Sequence, residues 1–317
     1  MQAVFLDAQT FHSSISFNDI EQAVGSLKTY PLTKPLEVIE RAIGAEIIIT
    51  NKVMLSAALL KQLPNLKLIC VSATGTNNVD LDAAKALGIV VTNVSGYASQ
   101  SLSQYVLAQI LNYYCRLPAH NQVTQNSTWQ NSPTFCVHGD SMIELAGKTL
   151  GIYGYGTLGR AVEQLAKAFG MTVLISEHAN KTAIRANRVS YQEMLTSSDI
   201  ISVHCPQTKA TTELFNRAAF SKMQSHCLFI NTARGGVVNS VDLAKALTAN
   251  EIAHAVVDVL EQEPPQADHP LLDKSLTNIT ITAHMAWASI EAQQRLVALL
   301  GKNIIDFQQG IATNVVK

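Results

Sequence analysis

Three apolar runs in the C-terminal half of the chain each end on a side chain able to do chemistry. The run 228–231 leads through Thr232 and Ala233 to Arg234, the run 256–260 leads to Glu261 and Glu263, and the run 279–282 leads through Ala283 to His284. These residue types suit the reduction of a 2-keto acid. A guanidinium grips the substrate carboxylate with two parallel hydrogen bonds. An imidazole titrating near neutral pH gives the carbonyl oxygen its proton while a hydride reaches C2. A neighbouring carboxylate orients that ring and stabilises its charged form. Arg234 is read as the substrate grip, His284 as the acid/base and Glu263 as the partner of His284. From the residues alone, Glu261 and Asp258 compete with Glu263 for that place. A single His or Arg at a strand end is more often structural, so the reading rests on all three together.

A hydride needs a carrier, and one segment fits a dinucleotide. Leu150-Gly151-Ile152-Tyr153-Gly154-Tyr155-Gly156-Thr157-Leu158-Gly159 contains G-x-G-x-x-G between a strand-like run and a segment with Leu158, Val162, Leu165 and Phe169 at helical spacing. Gly154 allows a tight turn, Gly156 lets the backbone approach a pyrophosphate, and Gly159 lets helix and strand pack closely. The helix N-terminus offers unpaired N–H groups to the phosphates. Glu177 lies 18 residues beyond Gly159, near the distance expected for the acid that accepts hydrogen bonds from the adenosine ribose. A carboxylate there repels a 2′-phosphate and favours NAD over NADP, although Lys181 and Arg185 follow closely.

The elements that place these groups are legible as an alternation. Strand-like runs at 4–6, 47–50, 66–71 and 89–92 alternate with helical stretches, one of them opened by Asp80 as N-cap. A second series of runs follows at 150–153, 172–176, 200–204, 228–231, 255–259 and 279–282. This βαβ pattern implies parallel sheets, whose ligands bind beyond the carboxyl ends of the strands. A long helix is expected over 99–117, ended by Pro118. The polar segment 120–140, with Trp129 and Phe135 embedded, is read as an arm packing on a second subunit. The stretch 289–307 is a helix with Leu296, Leu299, Leu300 and Ile304 in a stripe that returns the chain to the first domain.

Bulk properties bound the function. At 317 residues, 47% hydrophobic and 15% charged, two globular domains are expected. The net charge of −1 shows no basic face, which argues against nucleic acid or an anionic membrane as partner. The five cysteines, Cys70, Cys115, Cys136, Cys205 and Cys227, are widely spaced and read as free thiols of a reducing compartment. No signal-peptide pattern and no membrane-length apolar run is seen, so a cytoplasmic location is expected.

Taken jointly, these motifs resemble the D-isomer-specific 2-hydroxyacid dehydrogenases over nearly the whole chain. The resemblance rests on Gly154 to Gly159, Asn231-Thr232-Ala233-Arg234-Gly235, Asp258-Val259 with Glu263-Pro264, and Thr282-Ala283-His284. It implies the catalytic set Arg234, Glu263 and His284, and so selects Glu263 over Glu261. It also implies NAD contacts at Thr157, Leu158, His204, Cys205, Pro206, Thr211, Thr232, Ala233, Asp258 and Ala286, beside the glycines and Glu177. Within the family the chain is most similar to glycerate dehydrogenases, or hydroxypyruvate reductases, through Ala73-Thr74-Gly75, Asn93-Val94-Ser95-Gly96-Tyr97, Trp129 with Phe135-Cys136, and His284-Met285-Ala286-Trp287-Ala288. That implies substrate contacts at Ala73, Thr74, Gly75 and Trp287. The chain departs from the family's usual residues at Ala283 for Pro, Glu177 for Asp, Ser95 for Pro and Gln104 for Glu. Ala283 removes a φ constraint beside His284, and Glu177 leaves the cofactor preference less sharply defined.

The implied architecture is a Rossmann NAD-binding domain, 100–284, inserted in a flavodoxin-like substrate domain, 1–99 plus 285–317. Both would be doubly wound parallel sheets, with a cleft that closes over substrate and a homodimer formed through the Rossmann domain. Two other readings are carried forward. One is a non-catalytic NAD-sensing interaction protein of the same fold, which would bind NADH without turnover. The other is a dehydrogenase for another acid such as D-lactate.

Overall fold

The computed structural model describes residues 1–311 and 313–316. They divide into two compact units, 1–98 with the described residues from 287 on, and 99–286.

The first unit is built on a five-stranded sheet: β1 (Gln2–Phe5), β2 (Ser26–Thr29), β3 (Ile47–Thr50), β4 (Leu68–Val71) and β5 (Val90–Thr92). All pairings between these strands are parallel and the order is β2-β1-β3-β4-β5, the flavodoxin-like order. Alternate residues of one strand feed opposite faces. Phe5, Ile47, Ile49 and Cys70 pack under one helical layer, while Val4, Ile48, Ile69 and Val71 pack under the other. A strand covered on both faces needs no polar alternation, which is why 47–50 and 68–71 read as unbroken apolar runs. The edge strand β2 was not foreseen. It is the sequence Ser-Leu-Lys-Thr, largely exposed, and carries no apolar run. The C-terminal helix Ile290–Gln308 opens on Ser289, whose hydroxyl accepts the Ala292 amide. It buries Leu296, Leu300 and Ile304 in the first unit's core, so the chain does return there, while Leu299 is only partly buried.

The second unit carries β6 (Thr149–Tyr153), β7 (Thr172–Ile175), β8 (Ile200–Val203), β9 (Leu228–Asn231), β10 (His254–Val257) and β11 (Ile279–Ile281). They are parallel throughout, in the order β11-β10-β9-β8-β6-β7. A single parallel bridge, Ser176 to Val189, extends the sheet beyond β7. Counting that bridge as a strand gives the doubly wound dinucleotide-binding order, with its reversal between β6 and β8.

The stretch 99–125 differs from expectation. The helix Ser99–Cys115 stops where Arg116 adopts φ 52°, and Pro118 lies in the first turn of a second helix, Leu117–Gln125. Proline is tolerated there because the first amides of a helix lack partners anyway. Pro118 therefore starts an element, and the polar segment begins as helix. No helix among the described residues is long and apolar enough to cross a membrane.

Candidate active site

Since every strand of the second unit runs the same way, the loops after β6, β8, β9, β10 and β11 leave one edge of the sheet. Glycines let these loops touch. Gly154 has φ 98°, and a Cβ on it would collide with the backbone of His204 and Cys205. A Cβ on Gly159 would meet the Gly154 carbonyl, and one on Gly235 would strike the backbone of Leu260 and Glu261. The turn carrying Arg234 thus lies against the loop that leads to Glu263.

The pairing of His284 is settled by geometry. Its Nδ1 donates to Glu263 Oε2 at 2.7 Å, and Glu263 Oε1 accepts the Leu260 amide at 3.0 Å. Glu261 is engaged elsewhere: it accepts from Ser240 Oγ at 2.8 Å and lies 3.2 Å from His269 Nε2. Asp258 is buried, and its carboxylate holds the turn on which His284 rides. It accepts from Thr282 Oγ1 at 2.6 Å, the Met285 amide at 2.8 Å and the Ala286 amide at 3.0 Å. Burial pushes the Asp258 carboxyl above the usual carboxylate range. Because Thr282 spends its proton on Asp258, Tyr105 donates its hydroxyl to Thr282, at 2.5 Å. His284 itself adopts φ 54°, a left-handed conformation that a non-glycine residue keeps only when its surroundings hold it there.

Arg234 extends from the turn that follows β9. Asn231, fully buried, brackets that turn by accepting the Ala233 amide at 3.1 Å and donating to the Arg234 carbonyl at 3.0 Å. The Arg234 guanidinium donates through Nη1 to the Ala233 carbonyl at 2.6 Å and has no carboxylate partner among the described residues. Sequence reading missed the bracing roles of Asn231, Asp258, Thr282 and Tyr105. For Asn231, Asp258 and Thr282 the one signal was a short polar residue at the end of an apolar strand, a place where side chains cap their own turns; Tyr105, on the helix Ser99–Cys115, carried none.

The residues around the glycine turn fit a dinucleotide. Gly156 is the N-cap of the helix Thr157–Ala168, and a Cβ on it would meet no protein atom within 4 Å. The open side of that turn is where a pyrophosphate would lie, facing the amides of Thr157, Leu158 and Gly159. Among the described residues the buried atoms Thr232 Oγ1 and His204 Nδ1 have no hydrogen-bond partner, so each retains bonding capacity that a ligand can use. Burial lowers the His204 imidazole to about 4 and raises the Cys205 thiol to about 12, so both are neutral near pH 7. The Thr211 hydroxyl is used internally, accepting the Thr208 amide and donating to the Pro206 carbonyl, each at 2.7 Å.

Two groups differ from the simplest picture. Glu177 is buried at the end of β7 and its carboxylate is fully occupied, by the Arg185 side chain and by the amides of His178 and Arg185. The Arg185 bonds hold it well below the usual carboxylate range. Met285 and Ala286 count with the second unit, through their bonds to Asp258. In the first unit, Ala73, Thr74 and Gly75 form the loop after β4, where the Thr74 hydroxyl donates to the Val94 carbonyl at 2.9 Å. Trp287 also belongs there, edge-on to Phe11 and Tyr97.

Residues 107–286 match the family model described as D-isomer specific 2-hydroxyacid dehydrogenase, NAD binding domain. The chain belongs to the D-isomer specific 2-hydroxyacid dehydrogenase family. This dehydrogenase is 38% identical to a glycerate dehydrogenase of Methylorubrum extorquens over 100% of the chain and 99% of that protein. It is 34% identical to a hydroxypyruvate reductase of Blautia hydrogenotrophica, with the same coverage of each. Among solved structures, the TT0316 protein of Thermus thermophilus superposes on the dehydrogenase with a TM-score of 0.85 at 27% identity, covering all of both chains. The dehydrogenase is an NAD-linked oxidoreductase of D-2-hydroxy acids.

Proposed function

We propose that this dehydrogenase interconverts hydroxypyruvate and D-glycerate with NAD(H), and also reduces glyoxylate. The observation that carries the reading is the 2.7 Å bond from His284 Nδ1 to Glu263 together with an Arg234 that has no carboxylate partner among the described residues. Full-length similarity to a glycerate dehydrogenase and a hydroxypyruvate reductase supports the choice of substrate.

NADH, when bound along Gly154, Gly156, Thr157, Leu158 and Gly159, supplies the hydride. The chain's own residues do the rest. Arg234 grips the substrate carboxylate and polarises the keto oxygen. Glu263 holds Nδ1, which leaves Nε2 of His284 to carry the proton that moves to the carbonyl oxygen. His284 is left neutral and recovers its proton from solvent. In the oxidation direction the same nitrogen accepts the hydroxyl proton. His204, Cys205, Pro206, Thr211, Thr232, Ala233, Asp258 and Ala286 are assigned to the nucleotide's surroundings, several of them through bracing. Ala73, Thr74, Gly75 and Trp287 are assigned to substrate.

A steady-state panel of 2-keto acids with NADH tests the proposal. Hydroxypyruvate should give the highest kcat/KM, with glyoxylate reduced more slowly. Preference for pyruvate would make the chain a D-lactate enzyme. NADH binding without turnover on any of them would favour the non-catalytic reading.

We further propose a homodimer formed through the second unit. Trp129 and Phe135 are both exposed, Phe135 to 90%, and are joined by the bond from Trp129 Nε1 to the Phe135 carbonyl at 2.9 Å; exposed large apolar side chains brought together in this way are typical of a contact surface. Sedimentation should give twice the chain mass, and a monomer at micromolar concentration would refute this. The free thiols support a reducing, cytoplasmic location, testable by cell fractionation.

A further inference from the structure

Glu177 and Arg185 raise a question that the dinucleotide site alone does not answer. A carboxylate offers about four lone-pair sites. On Glu177 they take four N–H donors: Arg185 Nε at 2.6 Å and the Arg185 amide at 3.3 Å on Oε2, with Arg185 Nη2 at 2.5 Å and the His178 amide at 2.9 Å on Oε1. No site is left for a ribose hydroxyl. The two partners also differ in exposure, the Glu177 side chain at 2% and that of Arg185 at 56%. Arg185 therefore caps a buried carboxylate from the solvent side and neutralises its charge.

Two more guanidinium groups stand nearby. Arg188 donates to the Ser176 carbonyl at 2.9 Å, and its guanidinium lies 5.7 Å from the Tyr155 ring centroid. Arg160 lies 5.2 Å from the same centroid. Tyr155 is the residue between the first two glycines of the turn; its hydroxyl donates to Glu163, whose charge is paired with Lys167 at 2.7 Å, so with Glu177 paired to Arg185 the two guanidinium groups at Tyr155 leave this end of the loop net cationic.

We propose that Arg185 sets the cofactor choice of this dehydrogenase, competing with the ribose for Glu177 and supplying a cation to a 2′-phosphate, so that NADPH is accepted alongside NADH. The proposal rests on the dinucleotide reading of the glycine turn. NADH gains its ribose bonds to Glu177 only by displacing Arg185. With NADPH, the exposed guanidinium turns from one anion to another, and Arg188 adds positive charge at the same end. An acid at this position would otherwise repel a 2′-phosphate; paired with Arg185 its charge is offset.

The test is direct binding of NADH and NADPH to the full chain, followed by nucleotide fluorescence, for the wild type, R185A, R185K and E177Q. The wild type should hold the two cofactors with Kd values within about tenfold of each other. R185A should weaken NADPH at least tenfold, the low end for losing one charge-assisted bond, and should leave NADH as tight or tighter. R185K should restore part of the NADPH affinity, and E177Q should tighten NADPH. NADPH binding in the wild type should weaken more steeply with salt than NADH binding. Exclusion of NADPH by the wild type, or equal changes for both cofactors in R185A, would overturn the proposal and leave the dehydrogenase reading intact. Failure of NADH itself to bind would overturn the nucleotide reading as well.

Discussion

His284 is held from three directions: its ring by Glu263, its amide by the Asp258 carbonyl at 2.8 Å, and its backbone in a left-handed conformation. Such preorganisation suits a group that must deliver a proton at one atom and no other. His284→Ala is expected to lower kcat by roughly 100- to 10,000-fold while the NADH Kd changes less than about threefold. Surviving turnover would remove His284 from the proton step. Glu263→Gln keeps the shape and weakens the charge-assisted bond that holds Nδ1. The kcat for hydroxypyruvate reduction should fall about tenfold or more while the NADH Kd stays the same, and unchanged kcat would remove Glu263 from the orienting role. Arg234→Lys keeps a cation and loses the fork, so the KM for hydroxypyruvate should rise more than tenfold. These three residues were legible in the sequence because each follows an apolar strand. From the residues alone the acid that pairs with the histidine stayed open, since Glu261 and Glu263 stand two residues apart and differ only in where the loop turns; it was the family resemblance that pointed to Glu263.

At the scale of elements, the site depends on loops pressed together at positions where a side chain does not fit. Gly235→Ala would drive a methyl group into the backbone of Leu260 and Glu261. The expected cost is about 1–3 kcal/mol of stability, with activity falling because the Arg234 turn and the Glu263 loop are forced apart. Chemical denaturation and kcat/KM measured on one preparation would test both, and unchanged values would mean the two loops do not need this contact. The strands were readable because two-sided burial makes them continuous runs of Ile, Val and Leu. The polar edge strand β2 and the break at Arg116 were not, since neither carries a periodic apolar signal. Pro118 marked a boundary correctly but could not say whether it closed one helix or opened another.

Across the whole molecule, two histidines tie stability to pH. Burial lowers both His204 and His254 to about 4 from an ordinary value of 6.5. Between those limits the unfolded chain binds the proton and the folded chain does not, so stability is present above about pH 6.5 and is lost as pH falls toward 4. Asp7 and Asp258 oppose this, because burial raises both. The informative quantity is therefore a difference. His254→Gln should reduce the stability lost between pH 6.5 and 4 by about 1–3 kcal/mol, read from urea midpoints. An unchanged pH profile would show that His254 binds its proton equally in the folded and unfolded chain.

The sequence by itself determined the two parallel sheets, the glycine turn and the three polar side chains that follow strand ends. Those features are local: a run of apolar residues, a spacing of glycines, a residue just past a strand end. Only the tertiary structure decided that Glu261 is taken by Ser240 and His269, that Asp258 is spent on holding a turn, and that Arg185 saturates Glu177. These depend on the path each loop takes between strands. That path is set by close backbone contacts, such as those at Gly154 and Gly235, between residues far apart in the chain.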